Sequence, residues 1–333
     1  MSSGKSSLKS MGALVLAGGM GTRLGYDHPK GCYPFSPEKK KSLFQIVSEK
    51  CIAASKKRGE KLFIAFMTSP ENDLETRKFF HDHNRFGLDR DQLFFFAQGH
   101  LPLLSEEGKP LEIMGASGNG DVFKKFKTSG VLNAWKEKGV EHVNVIPIDN
   151  PLADPYDEKL LQSHMLNGDE VTIKCIQRTS PDEKVGILIP EGKSYKVIEY
   201  SEATQEMKEA MDQYPLANLS LFIVSMPFME KMADINLPTH TARKKLSNEE
   251  EADWILKKET FIFDMLPFAE KVSTLVYLRE DCFAPVKNKE GKDSVETARK
   301  LVYNYEKKLF ERLYQKPMPP YPFEIPIADY YAM

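Results

Sequence analysis

The chain has 333 residues and a formal charge of −2, from 46 Lys and Arg against 48 Asp and Glu. With 41% hydrophobic and 28% charged residues it has the composition of a chain with a packed core, which excludes wholesale disorder, and ~150 residues per domain makes it about two domains long. Near-neutral charge argues against a broad nucleic-acid contact, and the lack of any run of ~18 apolar residues argues against a membrane-spanning helix.

Residues 1–11 are mostly polar, carry no apolar core of a secretory signal, and are expected to be disordered. Residues 12–17 (GALVLA) form a short apolar run ending in glycines. Leu43, Phe44, Ile46, Val47 and Ile52 fall at helical spacing and predict a helix over 42–55. A buried strand over 61–67, a helix over 70–83 opened by Ser69-Pro70-Glu71, and a strand over 92–97 follow. Residues 121–137 read as helix and 141–148 as strand. Short apolar strands alternating with helices predict an α/β fold with a largely parallel sheet covered on both faces. After Asp149 the runs 170–176, 185–189, 195–200 and 219–225 read as strands joined by turns, a mixed or antiparallel extension of the sheet. Residues 243–272 read as helical, 273–279 as a last strand and 293–315 as a terminal helix. The proline-rich tail reads as an extended surface arm. The expected division is a main domain over 12–285, with a subregion at about 170–272, then a C-terminal helix and arm over 286–333. Cys32, Cys51, Cys175 and Cys282 stand far apart, with neither C-x-x-C nor zinc spacing, and suit a reducing cytoplasm.

Residues 14–25 read LVLAGGMGTRLG. An apolar strand running into glycines and then a helix presents backbone amides to a phosphate. The dinucleotide fingerprint fails, because its third glycine falls on Leu24, and the P-loop fails because no Lys-Ser follows Gly25. A tight turn accounts for some of these glycines. Four of them in eight residues beside Arg23 and Lys30 favour a nucleoside triphosphate site. Lys30 lies between Pro29 and Gly31, so its backbone is constrained and its side chain aimed. Asp149 ends an apolar strand, where a carboxylate either caps its own turn or meets ligand. Beside a triphosphate it would hold Mg²⁺, or Mn²⁺ in its place. Taken alone, Gln98 is a loop residue, Glu199 an outward strand residue, Phe261 and Phe263 core aromatics that point the same way if extended, and Lys287 a solvated charge.

Leu16-Ala17-Gly18-Gly19-x-Gly21-Thr22-Arg23-Leu24-Gly25, followed by Pro29-Lys30-Gly31, resembles the signature of the UTP-dependent sugar-1-phosphate uridylyltransferases, and within them the UDP-N-acetylhexosamine pyrophosphorylase branch. The likeness continues in order through Met67-Thr68-Ser69, Gln98-Gly99, Gly118-Asn119-Gly120, Asp149-Asn150, Phe261-x-Phe263-Asp264 and Pro285-Val286-Lys287-Asn288. It implies a Rossmann-like, GT-A-like nucleotidyltransferase with a mixed, mostly parallel sheet and a short C-terminal appendage. The activity it implies is transfer of UMP from UTP to a sugar-1-phosphate, giving a UDP-sugar and pyrophosphate. N-acetylglucosamine-1-phosphate is the favoured acceptor and glucose-1-phosphate or a broader set the alternative. A catalytically silent nucleotide-sugar sensor is a second alternative; Lys30, Arg23 and Asp149, whose loss would mark it, are all present.

The resemblance assigns nucleotide contacts to Ala17, Gly18, Gly19, Gly21, Thr22, Gln98, Gly118 and Asn119, and sugar contacts to Asn119, Gly186, Glu199, Asn218, Phe261 and Phe263. It brings Lys287 to the phosphates as a further cation, beside the charge that Arg23 and Lys30 supply and the metal expected at Asp149. The chain departs from the family pattern at Ser117 and at Gly120-Asp121, where the family has Asp before the glycine and Gly-Gly after the asparagine.

Overall fold

The computed structural model describes residues 11–200, 202–246 and 253–332. The expectation for residues 1–10 lies outside these, and Met11, expected to be disordered, is instead a fully buried first residue of strand β1 (Met11–Leu16). In chain order follow α1 (Leu43–Arg58), β2 (Ile64–Thr68), α2 (Asp73–Asp82), β3 (Leu93–Ala97), β4 (His100–Leu104), β5 (Pro110–Ala116), α3 (Val122–Thr128), α4 (Val131–Glu137) and β6 (His142–Pro147). Then come α5 (Glu158–Asn167), β7 (Val171–Gln177), β8 (Gly186–Glu191), β9 (Ser194–Ile198), α6 (Gln205–Glu209), β10 (Leu216–Ser225), α7 (Met226–Met232), β11 (Thr239–Lys245), β12 (Trp254–Thr260), β13 (Val272–Val276), α8 (Arg279–Cys282) and α9 (Val295–Tyr314).

The main sheet runs β13-β7-β10-β6-β1-β2-β3, with β8 and β9 attached beside β10. Strands β6, β1, β2 and β3 are parallel neighbours, as are β13 and β7. Strand β10 is antiparallel to β6, β7 and β8, which is the mixed extension expected after Asp149. Side chains alternate across the sheet: Met11, Ala13 and Val15 of β1 pack with α1, α5 and α9, while Leu14 packs with α3, α4 and α7. Both faces are therefore covered, as near-continuous apolar strands require. Helix α1 starts where the Ser42 hydroxyl accepts the Gln45 amide and stops at Gly59 in the left-handed region.

Three expectations are corrected. The span 121–137 is two helices, because Gly130 at φ +84° breaks it. Where described, residues 243–272 are helical only over Ile262–Phe268, a 3-10 helix; before it β11 and β12 form an antiparallel ladder from Thr239↔Thr260 to Lys245↔Trp254. This ladder joins β4 and β5, which the sequence reading missed, in a second, antiparallel sheet ordered β11-β12-β4-β5. The tail is an arm, but not one that stays at the surface throughout. Met318, Ile325 and Ile327 are buried, the Tyr330 hydroxyl donates to Glu306 at 2.7 Å, and the Tyr331 hydroxyl donates to Asp154 at 2.6 Å.

Candidate functional site

Parallel pairing places two chain reversals at one edge of the sheet. Leu16 pairs with Pro147, and the Ile148 amide donates to the Leu16 carbonyl at 3.1 Å. The glycine turn after β1 and Asp149 after β6 therefore leave the sheet side by side, the place where open α/β sheets meet ligands.

The turn folds back on itself. The Gly21 amide donates to the His28 carbonyl at 2.8 Å and the Lys30 amide to the Gly19 carbonyl at 3.0 Å. Buried Asn72 pins its start, its amide donating to the Ala17 carbonyl at 3.0 Å. Gly31 is glycine because a Cβ there would lie 2.2 Å from the Phe44 ring beneath it. The amides of Gly18, Gly19, Met20, Thr22 and Arg23 find no acceptor among the described residues, and all five residues line a cleft of about 720 Å³. Ala17 and Gly21 lie behind its wall, with their amides used inside the fold.

The far side of this cleft comes from β3 and the second sheet. Gln98 follows β3 with its amide on the Thr68 carbonyl at 3.0 Å, and its carboxamide lies against Gly18. The Gln98 Oε1 is buried without a hydrogen-bond partner, and so is the Ser69 hydroxyl across from it. Buried polar atoms are normally paired, so two orphans in one cleft point to a ligand with complementary groups. Gly118 stands at φ +97°, and a Cβ on it would lie 2.4 Å from the Thr260 carbonyl oxygen. Asn119 also lines the cleft, its Oδ1 accepting the Ile262 amide at 2.9 Å. The residues that depart from the family pattern bind one another. The Asp121 carboxylate accepts the Ser117 hydroxyl at 2.9 Å and the Gly99 amide at 2.6 Å, so it braces the loop.

Lys30 is buried to 6% exposure, and its Nζ lies 3.0 Å from Asp149 Oδ2. Burial alone would raise the Asp149 carboxyl, but the charges of Lys30, Lys287 and Arg23 prevail and hold it below the ordinary aspartate value. Asn150 fixes the strap that carries Lys287. Its side chain donates to the Cys282 carbonyl at 2.7 Å and accepts the Ala284 amide at 3.0 Å, and the Val286 amide donates to the Asp149 carbonyl at 2.8 Å. The Lys289 amide then reaches the Arg23 carbonyl at 3.1 Å, tying the strap to the glycine turn.

A second cleft, of about 210 Å³, opens on the other side of Asp149 and is lined by Gly186, Glu199, Asn218 and Lys287. A bulge in β10 between Asn218 and Leu221, with Ser220 at φ +57°, sets Asn218 opposite Gly186. Burial raises the Glu199 carboxyl above its ordinary value; Lys287 and His240 oppose the rise and Glu202 adds to it. Phe261 lines the larger cleft and stacks on His240 with ring centres 4.3 Å apart. Phe263 does not share its direction. The chain turns into the 3-10 segment after Phe261, and Phe263 packs on Phe222 in the core at 5.0 Å.

The sequence reading gave no role to Ser69 and Asn150, which it saw only as part of the likeness, and missed Asn72 and also Lys244, Lys257 and Glu259 on β11 and β12. These last three line the larger cleft, with Lys257 2.8 Å from Glu259. Their spacing-two alternation is the strand signal that could have located them. Among the described residues no three His, Cys, Asp or Glu side chains cluster as a metal site; Asp149 lines the smaller cleft, and Glu71 and Glu259 line the larger one. One ionised carboxylate beside a phosphate-sized cleft fits Mg²⁺, which takes the rest of its oxygens from phosphate and water. No helix among the described residues is long and apolar enough to cross a membrane.

Residues 2–320 match the family model described as UTP–glucose-1-phosphate uridylyltransferase. UDP-N-acetylglucosamine diphosphorylase 1 of Arabidopsis thaliana is 34% identical over 88% of this chain, and the UDP-N-acetylglucosamine pyrophosphorylase of Saccharomyces cerevisiae is 32% identical over 86%. The chain spans 64% and 66% of those proteins' lengths. The crystal structure of the uridine diphosphate N-acetylglucosamine pyrophosphorylase from Trypanosoma brucei, in complex with an inhibitor, superposes with a TM-score of 0.80 at 29% identity. That match covers 93% of this chain and 68% of that one.

Proposed function

The chain belongs to the UTP–glucose-1-phosphate uridylyltransferase family, and we propose that it transfers UMP from UTP to a sugar-1-phosphate, N-acetylglucosamine-1-phosphate by preference. The observation that carries this reading is the larger cleft itself: the unpaired amides of Gly19, Met20, Thr22 and Arg23 with the Arg23 and Lys30 cations along the glycine turn, and the unpaired Gly18 amide beside the orphan Gln98 Oε1. A triphosphate satisfies the first set, and a uracil edge, which both donates and accepts, satisfies the second. The second cleft takes the sugar, whose hydroxyls suit Glu199 and Asn218, with Gly186 leaving room.

An oxygen of the sugar phosphate attacks the α-phosphorus. One P–O bond forms there while the bond to the β-phosphate oxygen breaks, and pyrophosphate leaves with that electron pair. The nucleophile is already ionised, so no general base is required. The work of the protein is alignment and charge compensation. Lys30 serves the α-phosphate, Arg23 the β- and γ-phosphates, and Lys287 the incoming sugar phosphate. Asp149 would hold Mg²⁺, and the ion when bound would supply positive charge against the phosphates. The relatives' names favour an N-acetylated sugar, and Phe261 on the cleft wall supplies an apolar surface for it. A reducing cytoplasmic setting suits the four buried free thiols.

The test is pyrophosphate release from UTP with a panel of sugar-1-phosphates, with and without Mg²⁺. N-acetylglucosamine-1-phosphate should give the highest kcat/KM, and Lys30→Ala should lower kcat by on the order of 10²-fold, as loss of one transition-state donor does. Release from no sugar-1-phosphate, or a Lys30→Ala enzyme turning over at the unaltered rate, rejects the assignment.

A further inference from the structure

A third cavity, of about 600 Å³, lies where α9 and the tail meet the main sheet, and it shares no lining residue with either cleft described above. Its base is the segment that follows Asp149. Buried Lys50 donates to the Pro151 and Ala153 carbonyls at 2.8 Å each, and Tyr331 holds Asp154. Nothing in the transfer reaction uses this cavity.

Its wall is rich in cations of unequal standing. Lys174 is neutralised by Asp157 at 2.6 Å and lies over the Tyr277 ring at 3.9 Å. Lys308 is shared with Glu280 at 3.4 Å. Lys159 lies over the same Tyr277 ring at 4.6 Å, and among the described residues neither Lys159 nor Arg312 has a carboxylate within 4 Å. These two come from separate elements, α5 and α9, and converge on one opening. Both are exposed, so each keeps donors free for a charge-assisted bond to an anion at this opening. The same wall carries Asp281, which no cation neutralises within 4 Å and which would repel a bare polyanion but accept hydroxyl protons.

We propose that this cavity is a second ligand site, for a small phosphate monoester that also carries hydroxyl groups, its phosphate on Lys159 and Arg312 and a hydroxyl on Asp281. Bound between them, a phosphate would accept charge-assisted bonds from both cations, and the Tyr305, Tyr330 and Tyr331 side chains on the same lining would face the rest of the ligand. The site stands independently of the transfer reaction.

The probe is glucose 6-phosphate, whose anomeric carbon bears no phosphate, so it cannot act as the acceptor in the proposed reaction. Calorimetric titration into the full chain should show one binding event. Lys159→Ala with Arg312→Ala should weaken it roughly tenfold or more, as loss of charge-assisted bonds does. Both residues are exposed, so the fold survives their loss, and Lys159→Arg with Arg312→Lys should keep most of the affinity. Lys30→Ala with Lys287→Ala should leave the event unchanged. Unphosphorylated glucose should bind at least tenfold more weakly. Absence of binding at millimolar probe, loss of the event in the Lys30/Lys287 variant alone, or equal affinity for glucose each overturns the proposal.

Discussion

Gly118 is glycine because two constraints meet on one atom that it lacks. Its φ of +97° is strained for any residue with a Cβ, and the space a Cβ would fill is already held by the Thr260 backbone. Backbone cannot step aside as a flexible side chain can. Gly118→Ala should therefore cost about 1–3 kcal/mol, read as a lowered midpoint in chemical denaturation, and should weaken nucleotide binding because Asn119 and Thr260 move with it. A change below about 0.5 kcal/mol, the scatter of ordinary surface substitutions, would show that the loop sits elsewhere. Single residues were legible in the chain where chemistry and backbone agreed. Lys30 between proline and glycine lines the larger cleft and Asp149 at a strand end lines the smaller one, side by side because parallel strands end at one edge. Phe263 was not legible in this way. Its spacing from Phe261 implies a shared face only if the segment is extended, and the turn after Phe261 rotates it into the core.

Elements were legible when local preference and tertiary pairing pointed the same way. The apolar runs that became β1, β2, β6 and β10 could hardly be anything but buried strands. The stretch around β11 and β12 is rich in Ala, Lys, Glu and Leu, all good helix formers, and it is nevertheless held extended by pairing with its neighbour and with β4. The tail was misjudged for a related reason: proline content reveals extension but not what the chain docks against. Its docking brings a testable feature. Burial of Glu306 raises its carboxyl to about 7 from an ordinary value of 4.5, despite hydrogen bonds from Tyr330 and the Ile325 amide. The folded chain then holds a proton that the unfolded chain has lost, so stability falls as pH rises from about 4.5 to about 7 and levels off above. Glu306→Gln removes that loss. It should stabilise the protein at pH 8 by on the order of 1–3 kcal/mol, with no gain at pH 4. A Tm difference from wild type that is the same at both pH values would rule the mechanism out.

At the scale of the whole molecule, the net charge of −2 gives no long-range attraction for a nucleoside triphosphate. On the proposed function, attraction comes from cations concentrated at one edge of the sheet, and these fall into two groups. Arg23 and Lys244 are exposed and Lys257 partly so, while Lys30 is buried on Asp149. Salt distinguishes the groups, because the screening length shrinks from roughly 10 Å at 0.1 M to 3 Å at 1 M and acts on exposed charges first. UTP affinity should therefore fall by roughly tenfold as salt rises over that range, each screened contact contributing up to about 1 kcal/mol. Turnover at saturating UTP should change far less, since Lys30 works inside a site from which water and ions are excluded once substrate fills it. Steady-state kinetics at the two salt concentrations separate these effects: KM for UTP rises and kcat holds. If kcat fell in parallel with affinity, the buried lysine would be as open to solvent as the rim, and the division of labour between binding cations and the catalytic one would be wrong.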